Sequence, residues 1–176
     1  DFDDKGNELI GKLSASITTP NDVYGVPSAD SIIECWSDKP QIVFSHKDDR
    51  AYYAPMLDMV SVPDKQYFKN AESFYCTLFH ELVHSTGHRS RLNRFETDAA
   101  PFGSVPYSKE ELVAELGASY LCAVCNINND IVNSAAYITG WSRNLRDNPG
   151  WIVTAASKAE QASDYILTGI DVNAVA

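Results

Sequence analysis

One short motif, H-E-x-x-H, constrains this chain more than any other feature of its sequence. It is formed by His80, Glu81 and His84, inside a stretch whose apolar spacing predicts an amphipathic helix over residues 71–86, ended by Gly87. Histidines four residues apart lie one above the other on the same helix face. Two neutral imidazoles so placed can bind one Zn²⁺ ion, and the glutamate next to the first of them is positioned to act as a general base.

A third metal ligand is expected downstream, in a stretch rich in carboxylates. The pattern Ser108-Lys-Glu-Glu is a capping box that predicts a helix over residues 109–125. Glu111 and Glu115 share one face of that helix, so one can bind the metal while the other orients a metal-bound histidine. Spacing alone does not decide which of the two is the ligand. Glu110 points about 100° away and is interpreted as a solvated acid of the first turn.

Two known classes of zinc peptidase bear on the choice of the third ligand. Thermolysin- and neprilysin-like enzymes carry an E-x-x-x-D pattern, in which the glutamate binds zinc and the aspartate holds a histidine. Matched to this chain, that pattern makes Glu111 the ligand and Glu115 the orienting residue or alternative ligand. The metzincin signature would need a histidine where Ser90 stands. His88 directly follows the helix break, and we expect it to form local hydrogen bonds or to line the cleft.

Length and composition are those of one globular domain. The chain has 176 residues, of which 44% are hydrophobic and 22% charged. Its net charge of −10 argues against nucleic-acid binding through a broad basic face, and no apolar run approaches the length of a membrane-spanning helix. The cysteines stand in apolar surroundings and are interpreted as buried thiols in a reducing cytoplasm. They are Cys35, Cys76, Cys122 and Cys125.

The order of the predicted elements indicates an α+β fold, with a small antiparallel or mixed sheet ahead of a helical half. The predicted strands are residues 41–45, 51–54 and 59–62, the last two joined as a hairpin. The predicted helices are residues 28–36 (with Ser28 as N-cap), 71–86, 109–125, 131–146 and 150–167. Outside this domain, residues 28–170, we expect an irregular N-terminal arm or linker remnant over residues 1–27 and a tail over residues 171–176.

Three segments extend the motif into a longer pattern. They are Y-Y-A-P at residues 52–55, L-F-H-E-L-V-H-S-T-G-H-R-S-R-L at residues 78–92, and E-E-L-V-A-E-L-G-A-S-Y-L at residues 110–121. Together they resemble the zincin-like metallopeptidase domain of ArdC-type antirestriction proteins and TraC-type plasmid primases, over about residues 28–168. The resemblance implies a gluzincin-type fold and carriage on a bacterial mobile element, in the cytoplasm of its host or of a conjugation recipient.

The chemistry expected of such a site is hydrolysis of a peptide bond by a zinc-activated water, whose pKa zinc lowers to roughly 7. Glu81 would take the proton of that water and pass it to the leaving amine. The candidates for a cleft residue or an oxyanion stabiliser are His88, Arg91, Tyr107 and Tyr137. The strand expected to pair with an extended substrate, as an edge strand, consists of Met59, Val60, Ser61 and Val62.

An alternative function is a non-proteolytic module that uses the zinc domain as a scaffold to bind a restriction protein or DNA. The acidic balance disfavours direct DNA binding by this segment. In the family that the chain resembles, the domain usually follows an N-terminal domain that binds single-stranded DNA, and residues 1–27 would then be the tail of the connection. The expected partners are a protein or peptide substrate, single-stranded DNA through that N-terminal domain, and no membrane. The sequence leaves the oligomeric state open.

Overall fold

The computed structural model describes residues 25–45, 49–95, 104–128 and 145–170. In chain order the described elements are helix α1 (Pro27–Cys35), strands β1 (Gln41–Ser45), β2 (Tyr52–Ala54) and β3 (Met59–Pro63), a 3₁₀ turn (Lys65–Tyr67), and helices α2 (Ala71–Thr86), α3 (Val105–Val124) and α4 (Gly150–Thr168). The predicted α+β arrangement is confirmed. Within the described ranges, no helix combines the length and the hydrophobicity that crossing a bilayer requires.

The helix that carries the motif, α2, has the predicted bounds because both of its ends are specified locally. At its start the side chain of Asn70 accepts a hydrogen bond from the backbone N–H of Ser73 at 2.9 Å, as an N-cap does. At its end the N–H of Gly87 donates to the carbonyl of His84 at 2.8 Å. Gly87 has φ of −73°, so no left-handed turn requires the glycine. A close approach does, because a Cβ there would lie 2.7 Å from the ring of Phe95.

Two predicted helix starts are wrong, and in both cases a proline is the reason. Helix α3 begins at Val105, four residues before the predicted start at residue 109, with Ser104 as N-cap and Pro106 in the first turn. Ser108 therefore lies inside the helix, where its hydroxyl donates to the carbonyl of Ser104 at 3.0 Å. Helix α1 likewise begins at Pro27, after Val26, so Ser28 is not its N-cap.

Other predictions fall wholly or mostly on residues that the structure does not describe. The predicted tail and nearly all of the predicted arm lie outside the described ranges, as do residues 131–144 of the helix predicted over 131–146. Helix α4 is described: it begins at the predicted residue and ends at Thr168, one residue beyond the predicted end, with Gly169 as its C-cap.

The three strands form a mixed sheet in the order β1-β3-β2. β1 runs parallel to β3, and β2 runs antiparallel to it across the predicted hairpin, whose turn places Asp58 at a φ of 46°. β3 is therefore the central strand. The prediction that Met59, Val60, Ser61 and Val62 form a substrate-pairing edge is wrong, because residues 59–61 are already paired on both sides. The hairpin pattern was visible in the sequence, whereas the pairing of β1 depends on a distant segment.

Helices α2 and α3 approach each other closely, and this contact brings their functional faces together. Val83 of α2 is fully buried. It packs against Gly117 of α3, where an added Cβ would lie 2.9 Å from both Val83 methyl carbons. On the far side, the hydroxyl of Ser163 in α4 donates to the carbonyl of Gly117 at 3.3 Å. The absence of a side chain at position 117 thus allows the close approach of α2 and α3.

Candidate metal centre

Three side chains from α2 and α3 converge on one point. The Nε2 atoms of His80 and His84 are 3.1 Å apart. Glu111 places Oε2 3.6 Å from Nε2 of His80 and Oε1 3.4 Å from Nε2 of His84. In the part of the chain that the structure describes, this is the group of His, Cys, Asp or Glu side chains whose ligand atoms lie close enough to hold a metal ion, all within 4.8 Å of one another.

The donors lie close enough together to share one divalent ion. The two imidazole nitrogens are 3.1 Å apart, and each lies 3.4–3.6 Å from a different oxygen of the Glu111 carboxylate, which is close to the roughly 3.3–3.6 Å between neighbouring ligand atoms about 2.0–2.2 Å from a tetrahedral zinc ion. Two imidazole nitrogens and one carboxylate oxygen are the donor set of the catalytic zinc sites of the thermolysin type, which keep the fourth position open. The side chains of the three residues are only 12–16% exposed.

Glu115 faces the other nitrogen of His80. Its Oε1 lies 3.4 Å from Nδ1 of that ring. A carboxylate at Nδ1 fixes the tautomer and the orientation of the imidazole so that Nε2 points to the metal. The two glutamates that spacing could not separate thus occupy different places: Glu111 is at the convergence point and Glu115 is behind His80.

A second carboxylate stands behind His84, and the sequence interpretation of it was wrong. Glu110 places Oε1 3.5 Å from Nδ1 of His84, and its side chain is only 19% exposed. It was expected to be a solvated acid of the first helical turn. Because α3 begins at Val105, Glu110 lies in the second turn instead. Two consecutive residues of α3 therefore contact the same histidine, Glu110 at Nδ1 and Glu111 at Nε2.

Arg94 holds Glu110 in this position. It lies in the segment after α2, and its side chain is 6% exposed. Its Nη2 donates to Oε1 of Glu110 at 2.7 Å and its Nε donates to Oε2 at 3.3 Å. The same guanidinium donates to the carbonyl of Val83 at 2.8 Å and to the hydroxyl of Thr86 at 2.6 Å. Arg94 thereby ties the last turn of α2 to the carboxylate that orients His84.

Without a metal, these contacts produce a strongly coupled cluster of acids and imidazoles. Burial lowers the pKa of His84, but the carboxylates of Glu110 and Glu111 outweigh burial and raise it to about 10. Burial also lowers the pKa of His80, and Glu111 and Glu115 reverse that effect so that the pKa is raised overall. Burial raises the pKa of Glu111, whereas its contacts with both histidines lower it further than burial raises it. A divalent cation would replace protons on the imidazoles.

Glu81 lies beside this cluster without belonging to it. Its residue is 8% exposed, and it is absent from the set of converging ligand atoms. Its charge acts on the cluster: burial lowers the pKa of His84, and beside the closer carboxylates of Glu110 and Glu111 the charge of Glu81 also raises it.

The remaining candidate site residues have different surroundings. Nδ1 of His88 lies 2.8 Å from the hydroxyl of Ser90, in the local turn after α2. Tyr107 is partly buried in the first turn of α3. Tyr137 lies outside the described residues.

Arg91 was a candidate for the cleft, and that prediction is wrong. Its side chain is 2% exposed and forms a bidentate ion pair with Asp58, at 2.7 and 2.9 Å. Its guanidinium also donates to the carbonyls of Asp38 at 2.7 Å and Ser85 at 3.1 Å, and it lies over the ring of Trp36. These contacts fix the segment after α2 against the β2–β3 turn and leave Arg91 unable to face a substrate.

Several known proteins are similar to this chain in sequence or in fold. The chain is 44% identical over 119 residues to the DNA primase TraC of Escherichia coli, covering 68% of this chain and 11% of TraC. It is 34% identical over 151 residues to an uncharacterized protein of Sinorhizobium fredii, covering 84% and 48% of the two chains. The crystal structure of the antirestriction protein ArdC from plasmid R388, bound to Mn(II), matches with a TM-score of 0.70 at 35% identity, covering 86% of this chain and 55% of ArdC.

The chain therefore spans about half the length of two of these proteins and a small part of the third. The Mn(II)-bound relative and the converging donors His80, His84 and Glu111 together support a divalent metal in this chain. The sequence pattern of zincin-like metallopeptidases matches residues 30–158, which is most of the chain. The predicted fold and resemblance are thus confirmed, and the chain belongs to the zincin-like metallopeptidase family.

Proposed function

We propose that this chain is a zinc-dependent metallopeptidase domain of an antirestriction-type protein, with His80, His84 and Glu111 as metal ligands and Glu81 as the general base. The observation that carries the proposal is the convergence of two imidazole nitrogens and one carboxylate within 4.8 Å of one another, beside a glutamate that is 8% exposed. Structural zinc sites are usually closed by four protein ligands, whereas three ligands with an open position are typical of catalytic sites.

Each residue would have a separate task in the reaction. When bound, the ion supplies Lewis acidity, which polarises the scissile carbonyl and makes a nearby water acidic. Glu81 accepts the proton of the attacking water at its carboxylate and delivers it to the leaving amine. Glu115 and Glu110 hold the two imidazoles by their Nδ1 atoms, so that neither ring turns during turnover.

The sheet restricts where an extended substrate can bind. Since β3 is paired on both sides along residues 59–61, a peptide that adds a strand would have to use an outer strand. Of the two outer strands, β2 has the more extensive contact with α2. Its Tyr53 stacks on Phe95 with ring centroids 6.3 Å apart, and Phe95 in turn lies over Gly87 at the end of α2.

The substitution Glu81→Gln tests the proposal most directly. It removes the base while keeping the shape of the side chain, so we expect wild-type metal content and a loss of peptidase activity of about 10²–10⁴-fold. Glu72→Gln, in the first turn of the same helix, is the matched control and should leave activity unchanged. Metal content and cleavage of a generic peptide library are measured on all three proteins. A Glu81→Gln protein that cleaves as fast as wild type would contradict the role of Glu81.

The likeness to the ArdC antirestriction protein supports a second candidate, in which the metal domain binds a restriction protein or DNA without cutting anything. The two functions differ in what Glu81→Gln does inside a cell. If the domain acts by hydrolysis, the variant should lose its protection of unmodified plasmid DNA against a restriction enzyme. If the domain acts by binding, the variant should protect as well as wild type while remaining loaded with metal.

A further inference from the structure

Two thiols face each other in the interface between α2 and α3, which also contains the candidate metal ligands. The Sγ atoms of Cys76 and Cys122 are 3.1 Å apart, and both cysteines are free. Cys76 lies one helical turn before His80, and Cys122 lies two turns after Glu115. Each cysteine therefore shares its helix face with a residue of the metal cluster. The interface between α2 and α3 therefore contains the carboxylate–imidazole cluster and, one to two helical turns away, a pair of thiols.

We propose that Cys76 and Cys122 form a redox-active dithiol, which a peroxide converts to a disulfide that clamps α2 to α3 beside the metal cluster. The sulfur atoms need to approach by only about 1 Å to reach the length of a disulfide bond. The two thiols have different roles in the oxidation, because Cys76 is partly exposed whereas Cys122 is fully buried. Cys76 is the thiol that meets the oxidant, and Cys122 resolves the product.

The oxidation proceeds in two balanced steps. The Cys76 thiolate attacks one oxygen of hydrogen peroxide, the O–O bond breaks, and a sulfenic acid forms on Cys76 while the other oxygen leaves as water with the proton of the thiol. The sulfur of Cys122 then attacks the sulfur of Cys76, the S–O bond breaks, and a second water leaves with the proton of Cys122. In sum, two thiols lose two hydrogens and one peroxide is reduced to two waters.

The charge states of the thiols agree with this order. The close contact with the Cys122 sulfur lowers the pKa of Cys76, which favours the reactive thiolate. The same contact, together with burial, raises the pKa of Cys122. Cys125, the other partner in the C-x-x-C spacing, has its pKa raised to about 11 by burial, so it is poorly suited to begin the reaction.

Mass spectrometry of the whole chain tests the assignment. After peroxide treatment under native conditions and alkylation of the remaining thiols, we expect a loss of two hydrogens and a non-reduced peptide that joins Cys76 to Cys122. Cys122→Ala should instead leave a sulfenic acid on Cys76, trapped by dimedone. Cys35→Ala, which removes a buried thiol elsewhere, should still form the bond. A bond between Cys122 and Cys125, or none at peroxide levels that oxidise free glutathione, would overturn the proposal.

The clamp has its own measurement, which does not depend on any peptidase activity. In the metal-free protein, oxidation should raise the midpoint of thermal unfolding by about 5–10 °C, because the bond closes a long loop in the unfolded chain. A thiol reductant should reverse the rise, and Cys76→Ala and Cys122→Ala should show none. A disulfide that forms without raising the midpoint would show that it does not clamp the two helices.

Discussion

Nη2 of Arg94 donates to Oε1 of Glu110 at 2.7 Å, and this contact makes a residue of the loop after α2 the support of a histidine that is a candidate metal ligand. Glu110 faces Nδ1 of His84, and Arg94 also holds the last turn of α2 through the carbonyl of Val83. The path from the arginine through the carboxylate to the imidazole is continuous. Removing either polar contact should change metal binding without removing a ligand.

We predict that Glu110→Gln weakens zinc binding by about 10–100-fold, because the amide orients Nδ1 of His84 less well than a carboxylate does. The dissociation constant is measured by competition with a chromophoric chelator, with Glu72→Gln as the control on α2. Arg94→Met should have a similar effect. The loss of metal-binding free energy in the double variant should be smaller than the sum of the two single losses by about 0.5–3 kcal/mol, since the two residues act through one contact. Strictly additive effects would show that Arg94 does not act through Glu110.

We predict that Gly117→Ala destabilises the fold by about 1–3 kcal/mol, because the new methyl group would meet both methyl carbons of the buried Val83. The helices would have to move apart, so metal affinity should fall as well. Chemical denaturation and a zinc titration measure the two effects. Val83→Ala removes the opposing methyl groups, and the double variant should recover part of the metal affinity. A Gly117→Ala protein with wild-type stability would contradict the close approach.

We predict that metal affinity increases with pH across the neutral range. The imidazoles of His80 and His84 have raised pKa values once the carboxylates outweigh burial, so a metal ion must displace protons from them. Each displaced proton changes the dissociation constant by about tenfold per pH unit. Zinc titrations at acidic, neutral and mildly alkaline pH measure the slope. An affinity that does not vary with pH would mean that the imidazoles are already neutral in the metal-free protein.

The metal-free protein should show the opposite trend in stability. His84 has its pKa raised from 6.5 to about 10 in the folded state, since Glu110 and Glu111 outweigh burial. A raised pKa contributes stability that is complete below pH 6.5 and is lost as the pH rises toward about 10. Denaturation midpoints of the metal-free protein should therefore fall over that window. The denaturation midpoint of the His84→Gln variant should fall less steeply with pH. An equal slope in both proteins would show that other groups cause the fall.

The part of the site that depends on local helical spacing was predictable from the sequence. The H-E-x-x-H helix is bounded by Asn70 and Gly87, and the face shared by Glu111 and Glu115 follows from the helix period. What failed depends on contacts between distant segments. Glu110 could be placed only by knowing that α3 starts at Val105 and that Arg94 reaches it from the preceding loop. Glu110 and Arg94 are both visible in the sequence, but no local pattern indicates that they form a contact.

The sheet and Arg91 show the same limit. Strand β3 has the composition of any short buried strand, and its central position results from the pairing of Gln41–Ser45, which a separate segment of the chain supplies. The sequence made Arg91 a candidate for the cleft, and only its ion pair with Asp58, 33 residues earlier, reveals a structural role. Pairings at such separation are decided by the packed fold, so a charge pattern read along the chain cannot identify them.

The contact between Gly117 and Val83 has a consequence for ion selectivity. Because packing sets the distance between α2 and α3, the donors are presented at a spacing that does not depend on the ion. An ion is then selected by its radius and by the number of ligands it demands. Ca²⁺ requires six to eight oxygen atoms at about 2.3–2.6 Å, whereas His80, His84 and Glu111 offer two imidazole nitrogens and one carboxylate. We therefore expect the site to disfavour the larger alkaline-earth ions, with Gly117 contributing through the spacing of the helices although it touches no metal.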